Sequence, residues 1–220
     1  MSEFASEAAP PKTLPVLHVL RVTGLADDDV VAERSGVDQD TVRELLLDYQ
    51  AYGWVTRVEF AGTTGWTLTE RGRAEDYRRL TEELISTGAK GAVDQAHRAF
   101  GPLNARVVRA CTDWQLRPQG GDPLAVNDHL DPTWDGRVLR ELAAVDGELA
   151  VLVGELADSL PRFGDYPERF SAALARARAG QVLWVAGVGL LSCHTVWMQL
   201  HEDLLSTLGI SRHAESDRQD

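Results

Sequence analysis

Cysteine is scarce in this chain of 220 residues: Cys111 and Cys193 are the only two, neither sits in a CxxC pair, and neither has zinc-ligand spacing. That excludes a disulfide-stapled secreted fold and points to two reduced, buried thiols in a cytoplasmic protein. Long hydrophobic runs are also missing. No apolar stretch reaches the roughly 18 residues that a membrane span needs. Residues 181–193 come nearest and read as a buried helix. Residues 1–12 carry no basic patch followed by an apolar stretch, so no secretory signal is expected, and residues 1–13 read as a flexible leader. No nucleophile elbow, phosphate-binding glycine loop, dinucleotide fingerprint or HExxH occurs. Positive charge is the remaining deficit. Lys and Arg number 22 against 34 Asp and Glu, a formal net charge of −12, which disfavours nonspecific attraction to nucleic acid or acidic membranes.

The composition that is present is that of an ordinary globular protein, 44% hydrophobic and 25% charged, long enough for one large domain or two modest ones. Val16, Leu17 and Leu20 mark one face of a first helix. Asp28 or Asp29 can cap a second helix, and Ser35-Gly36 makes a turn. Asp38 can cap a third helix, whose Val42, Leu45, Leu46 and Tyr49 follow the three-and-four spacing of a buried stripe. Gly53 ends that helix. Val55 and Val58 begin a hairpin with its turn over Gly62 to Gly65, and Trp66 and Leu68 return toward the core. Thr69 caps a polar helix reaching about Ser86. This order predicts a winged helix-turn-helix domain over residues 14–88, a shape usually built to place its third helix in a DNA groove.

Residues 89–209 read as a helical bundle for ligand binding and dimerisation, followed by a tail over 210–220. A helix over about 91–115 contains Pro102, a Gly-, Pro-, Asn- and Asp-rich loop spans 116–130, and Asp131-Pro132 opens a long helix to about Leu160. Asp165 begins a shorter helix that ends at Gly180, and a last helix covers about 190–208. The fold expected is therefore mainly α with a small β-hairpin wing.

The first half resembles the MarR-like winged-helix regulators. The second half carries Cys111-Thr112-Asp113-Trp114-Gln115, Asn127-Asp128-His129, His194-Thr195-Val196-Trp197 and Leu200-His201-Glu202-Asp203-Leu204-Leu205. These look like the signature of an actinobacterial group labelled MarR-type regulators, related segments of which also occur attached to phosphoenolpyruvate-utilising enzymes. The chain departs from that pattern at residues 185–192, which are small, apolar and glycine-bearing where the group carries a more polar, proline-containing segment. The resemblance implies a regulator.

On a DNA-reading third helix, Gln39, Thr41 and Arg43 would meet base edges or phosphates, and Arg57 on the first wing strand would hold the backbone. A homodimer would place two such helices about 34 Å apart on double-stranded DNA. Against this, residues 14–75 hold six arginines (Arg21, Arg34, Arg43, Arg57, Arg71, Arg73) and eleven carboxylates, so the domain is itself acidic. Leu47 and Asp48 stand where such helices commonly carry basic residues.

In the second half, His194, Trp197 and His201 recur on one helical face. With Asp113, Trp114, Asn127, Asp128 and His129 they could line a pocket for a small organic ligand. A histidine beside Asp113, either His194 or His201, could also move a proton in an enzyme that has lost DNA binding. A third reading is an interaction module with a silent winged helix. His194 and His201 lie two helical turns apart, about 10.5 Å of rise, too far to share a metal, so neither a metal nor a cofactor is expected.

Overall fold

The computed structural model describes residues 13–60 and 62–211, and it is mainly helical with one small hairpin. The expected leader apart from Thr13, the expected tail apart from Ile210 and Ser211, and Ala61 at the hairpin tip lie outside these residues. The chain forms two compact units that divide between Glu83 and Leu84, inside a helix and five residues before the boundary expected from the sequence.

The first unit contains α1 (Thr13–Thr23), α2 (Asp28–Ser35), α3 (Gln39–Ala51), β1 (Val55–Phe60), β2 (Thr63–Leu68) and the start of α4 (Glu70–Thr87). Asp27, rather than Asp28 or Asp29, caps α2 by accepting from the Val30 N–H at 2.9 Å. Asp28 is thereby freed to accept from the Trp66 indole at 2.7 Å. Asp38 caps α3 as expected, accepting from the Thr41 N–H. The strands pair antiparallel from Val55 opposite Leu68 to Phe60 opposite Thr63. The hairpin turn is therefore shorter than the expected 62–65, and Gly65 stands in the strand where Ala26 pairs alongside Trp66 through two backbone bonds of 3.1 and 2.7 Å. A Cβ on Gly65 would come within 2.8 Å of the Ala26 carbonyl oxygen, which explains why the strand tolerates glycine there.

Val16, Leu17, Leu20, Val31, Val42, Leu46, Tyr49 and Trp66 close one core, each large side chain contributing about 1.5–3 kcal/mol by leaving water. His18 on α1 is buried with Nδ1 3.4 Å from a carboxylate oxygen of the fully buried Asp76. Thr69 caps α4, donating to the Gly53 carbonyl at 2.6 Å and accepting from the Gly72 N–H at 3.1 Å. On this otherwise polar helix Arg79 is buried, 2.6 Å from Glu75 and over the Trp54 ring.

The second unit is built on α5 (Lys90–Gln115), α6 (Pro132–Ser159), α7 (Tyr166–Arg178), the four-residue α8 (Leu183–Ala186) and α9 (Cys193–Leu208). The four long helices pack in a closed ring, α5 on α6, α6 on α7, α7 on α9 and α9 on α5. On α6 the buried positions Val138, Leu142, Val145, Leu149, Val153 and Leu156 follow one another in steps of three or four residues, the stripe that a helix needs to face a bundle core. Asp131 caps α6, accepting from the Thr133 and Trp134 N–H groups. Cys111 and Cys193 are both free and buried in this core, and burial pushes each thiol up to about 12.

One expectation fails plainly. Residues 181–193 are not a buried helix: after α8 the chain leaves the helical path, and Leu183 and Val188 are 64% and 97% exposed. Glycine is the cause. Gly189 takes φ +79°, and Gly187 sits where a Cβ would meet the Leu183 carbonyl oxygen at 2.5 Å. Ser192 then caps α9, which begins three residues later than expected.

Candidate functional site

The left-handed Gly36 turns the chain between α2 and α3, and α3 buries Val42, Leu46 and Tyr49. Its outer side exposes Gln39, Asp40, Arg43, Glu44, Leu47 and Asp48. The four residues expected to meet DNA are each engaged within their own chain. Gln39 donates to Asp29. Thr41 donates its hydroxyl to Asp38 at 2.7 Å. Arg43 lies 3.0 Å from Asp40 and 3.7 Å from Asp28. Arg57 stands over the Trp66 ring, 5.8 Å from its centroid. The one guanidinium on α3 thus faces two carboxylates, and a phosphate would have to compete with them.

The eight residues expected to line a pocket separate into three places. The first is the loop ahead of α6. Asn127 is buried and donates to the Trp114 carbonyl at 3.0 Å and to Asp135 Oδ1 at 2.8 Å, which uses both of its amide hydrogens. Its 3.3 Å approach to His129 Nδ1 therefore carries no hydrogen, and Nδ1 donates its own to Asp135 Oδ2 at 2.9 Å. This bookkeeping assigns the Nδ1–H tautomer and leaves Nε2 as the acceptor. His129 adopts φ +59°, a left-handed backbone rare outside glycine, while its ring packs 4.6 Å from Trp114. The Trp114 indole in turn donates to the Val182 carbonyl at 2.9 Å. Asp128 points away from this cluster, and the Leu130 N–H and the Arg117 guanidinium hold its carboxyl below the usual range.

The second place is α9. Trp197 is fully buried, stacked on Phe100 at 4.7 Å and 16°, with its indole donating to Asn104 at 2.9 Å. His201 tilts against the same Phe100 at 4.8 Å. His194 is half-buried and hydrogen-bonds to none of the described residues. Burial pushes its pKa down.

The third place is the opposite side of α5. Asp113 accepts from Arg137 at 3.1 Å, and its carbonyl accepts from the Trp134 indole at 2.6 Å. The expected pairing of Asp113 with His194 or His201 is therefore not formed. The reason is helical phase: Phe100 and Asn104 put one face of α5 against α9, whereas Arg106, Arg109 and Asp113 recur at three and four residues on the face beside α6. That face forms an open groove of about 440 Å³ with Ala110 and Val138 at its base and Arg137 and Glu141 on the α6 side.

Sequence reasoning missed Asp135, which orients His129, and a buried cluster in which Asp203 accepts from Arg162 at 3.2 Å and from the Tyr166 hydroxyl at 3.1 Å. An acid four residues after a helix-capping Asp131 is a weak cue to the first. The second joins residues some 40 positions apart and has no local signal. Among the described residues no group of three or more His, Cys, Asp or Glu side chains is placed to hold a metal ion, and no helix is long and apolar enough to cross a membrane. Compared with known protein families, curated proteins and solved structures, the chain matches none.

Proposed function

We propose that this chain is a ligand-responsive, DNA-binding transcriptional regulator of the winged-helix type, acting as a homodimer in the cytoplasm. The observation that carries the reading is the order of the first unit: three helices, an antiparallel hairpin and a fourth helix, with Gly36 turning α2 into an α3 whose outer side is open. In a winged helix that open helix reads the major groove, and the hairpin holds the flanking backbone. A small organic effector bound in the helical second unit would shift the spacing of two such helices in a dimer. The test is retardation of DNA adjoining the protein's own gene at low salt. A shift that weakens with salt supports the reading, and none at any salt concentration overturns it.

A second reading, an interaction module whose winged helix no longer touches DNA, is favoured by one observation. Arg43 and Gln39 are already engaged by Asp28, Asp40 and Asp29. The same retardation experiment separates the two. The proton-transfer enzyme loses its support, because Asp113 is bonded to Arg137 and not to an imidazole.

A further inference from the structure

We propose that the groove between α5 and α6 binds the carboxylate of a small organic monoanion, with Arg109 as its principal ligand. The proposal rests on the reading of the second unit as effector-binding, and it names the place and the chemistry.

The groove's volume of about 440 Å³ falls within the range of small-molecule clefts. Its charged lining consists of three guanidinium groups, Arg106, Arg109 and Arg137, and two carboxylates, Asp113 and Glu141. Arg106 is occupied twice over, by Glu141 and by Glu148, each at 2.6 Å. Arg137 gives one nitrogen to Asp113 at 3.1 Å and lies over the Trp134 ring, 4.2 Å from its centroid. Arg109 makes no hydrogen bond or ion pair with any described residue. It stands one helical turn before Asp113, so it faces the groove from α5 as Arg137 does from α6. In a chain with a net charge of −12, most cations of this groove are matched by acids, and this one is left over.

With Glu148 the acids at the groove equal its three guanidinium groups, but two of them share Arg106, so Arg109 has no acid against it and fits a single negative charge. A phosphate dianion would bring a second negative charge beside the carboxylates of Asp113, Glu141 and Glu148, which repel it. A guanidinium fork binds a carboxylate through two parallel bonds, and the small apolar base of Ala110 and Val138 suits a compact aliphatic body in place of a second charged group.

The experiment is isothermal titration calorimetry of the full chain, without DNA, using sodium isovalerate as the probe and inorganic phosphate as the comparison anion. Saturable one-site binding of isovalerate is expected. Arg109→Ala should weaken it about tenfold or more, the size expected when a charged hydrogen-bond donor is removed, and Arg109→Lys should retain part of it. Because Arg109 is exposed, both variants should melt at the wild-type temperature, and equal melting confirms that lost binding is not lost folding. No saturable isovalerate binding, equal binding by Arg109→Ala, or tighter binding of phosphate would each overturn the proposal. Since no DNA is present, these outcomes are independent of whether α3 reads DNA.

Discussion

His129 Nδ1 lies 2.9 Å from Asp135 Oδ2, and the Asn127 amide occupies the other oxygen of the same carboxylate at 2.8 Å. One acid thus fixes both the tautomer of the imidazole and the path of the loop that carries it. Long-range proton–nitrogen correlation spectra of the neutral protein should place the His129 hydrogen on Nδ1, and Asp135→Ala should abolish that preference. Asn127→Ala removes a buried donor from two acceptors and should lower stability by about 1–3 kcal/mol in urea unfolding. A loss below a few tenths of a kcal/mol would show that the loop does not depend on this bonding.

The outer surface of α3 makes a charge-specific prediction. Asp40→Asn removes a carboxylate 3.0 Å from Arg43 without touching the core. If α3 meets DNA, this variant should bind several-fold more tightly at low salt, and Arg43→Ala should weaken binding and flatten its salt dependence by about one unit of slope. Identical curves for all three proteins would exclude α3 as the contact.

Acid sensitivity should pass through His194. Its pKa in the folded protein lies below the ordinary 6.5 because burial disfavours the imidazolium. The unfolded chain therefore binds the proton first. The stability this residue contributes is complete above about 6.5 and is lost as the pH falls below that value toward the folded-state pKa. Urea unfolding between pH 7.5 and 5 should show a shallower loss of stability in His194→Gln than in the wild type. Parallel profiles would mean that His194 is solvated as freely in the folded protein as in the unfolded one.

Gly72 in α4 packs against the chain at Trp54, where a Cβ would stand 1.9 Å from the Trp54 carbonyl oxygen. That oxygen already accepts from the Thr69 N–H at 2.9 Å, so it is not free to move. Gly72→Ala should cost about 3 kcal/mol or more. Gly91→Ala, in the first turn of α5 with nothing within 4 Å, should be neutral or slightly stabilising. Similar melting temperatures for the two variants would contradict the close approach.

Helix periodicity and capping carried most of the fold. Asp38, Thr69 and Asp131 mark helix starts through bonds to their own neighbours, so the cue and the structure lie within three residues of each other. Residues 181–193 misled because their apolar content resembles a core helix, and only the backbone needs of Gly187 and Gly189 reveal the break. The site was legible in part. The Asn127-Asp128-His129 motif does gather polar groups, but its partner Asp135 and its platform Trp114 come from the two helices it joins. The groove owes its character to which arginines of α5 and α6 find acids, and no local pattern records that matching.

Trp114 touches two stretches of chain far apart in sequence: the loop at Asn127 and His129, and the entry to α8 at the Val182 carbonyl. The loop is held as well by Asp135 and by the Asn127 N–H to the Gln115 carbonyl, and α8 by its own turn, but Trp114 bonds to both and ties one to the other. Amide protons around residues 126–130 and 182–187 should then exchange with solvent as a single cooperative unit, released together when that ring leaves its seat.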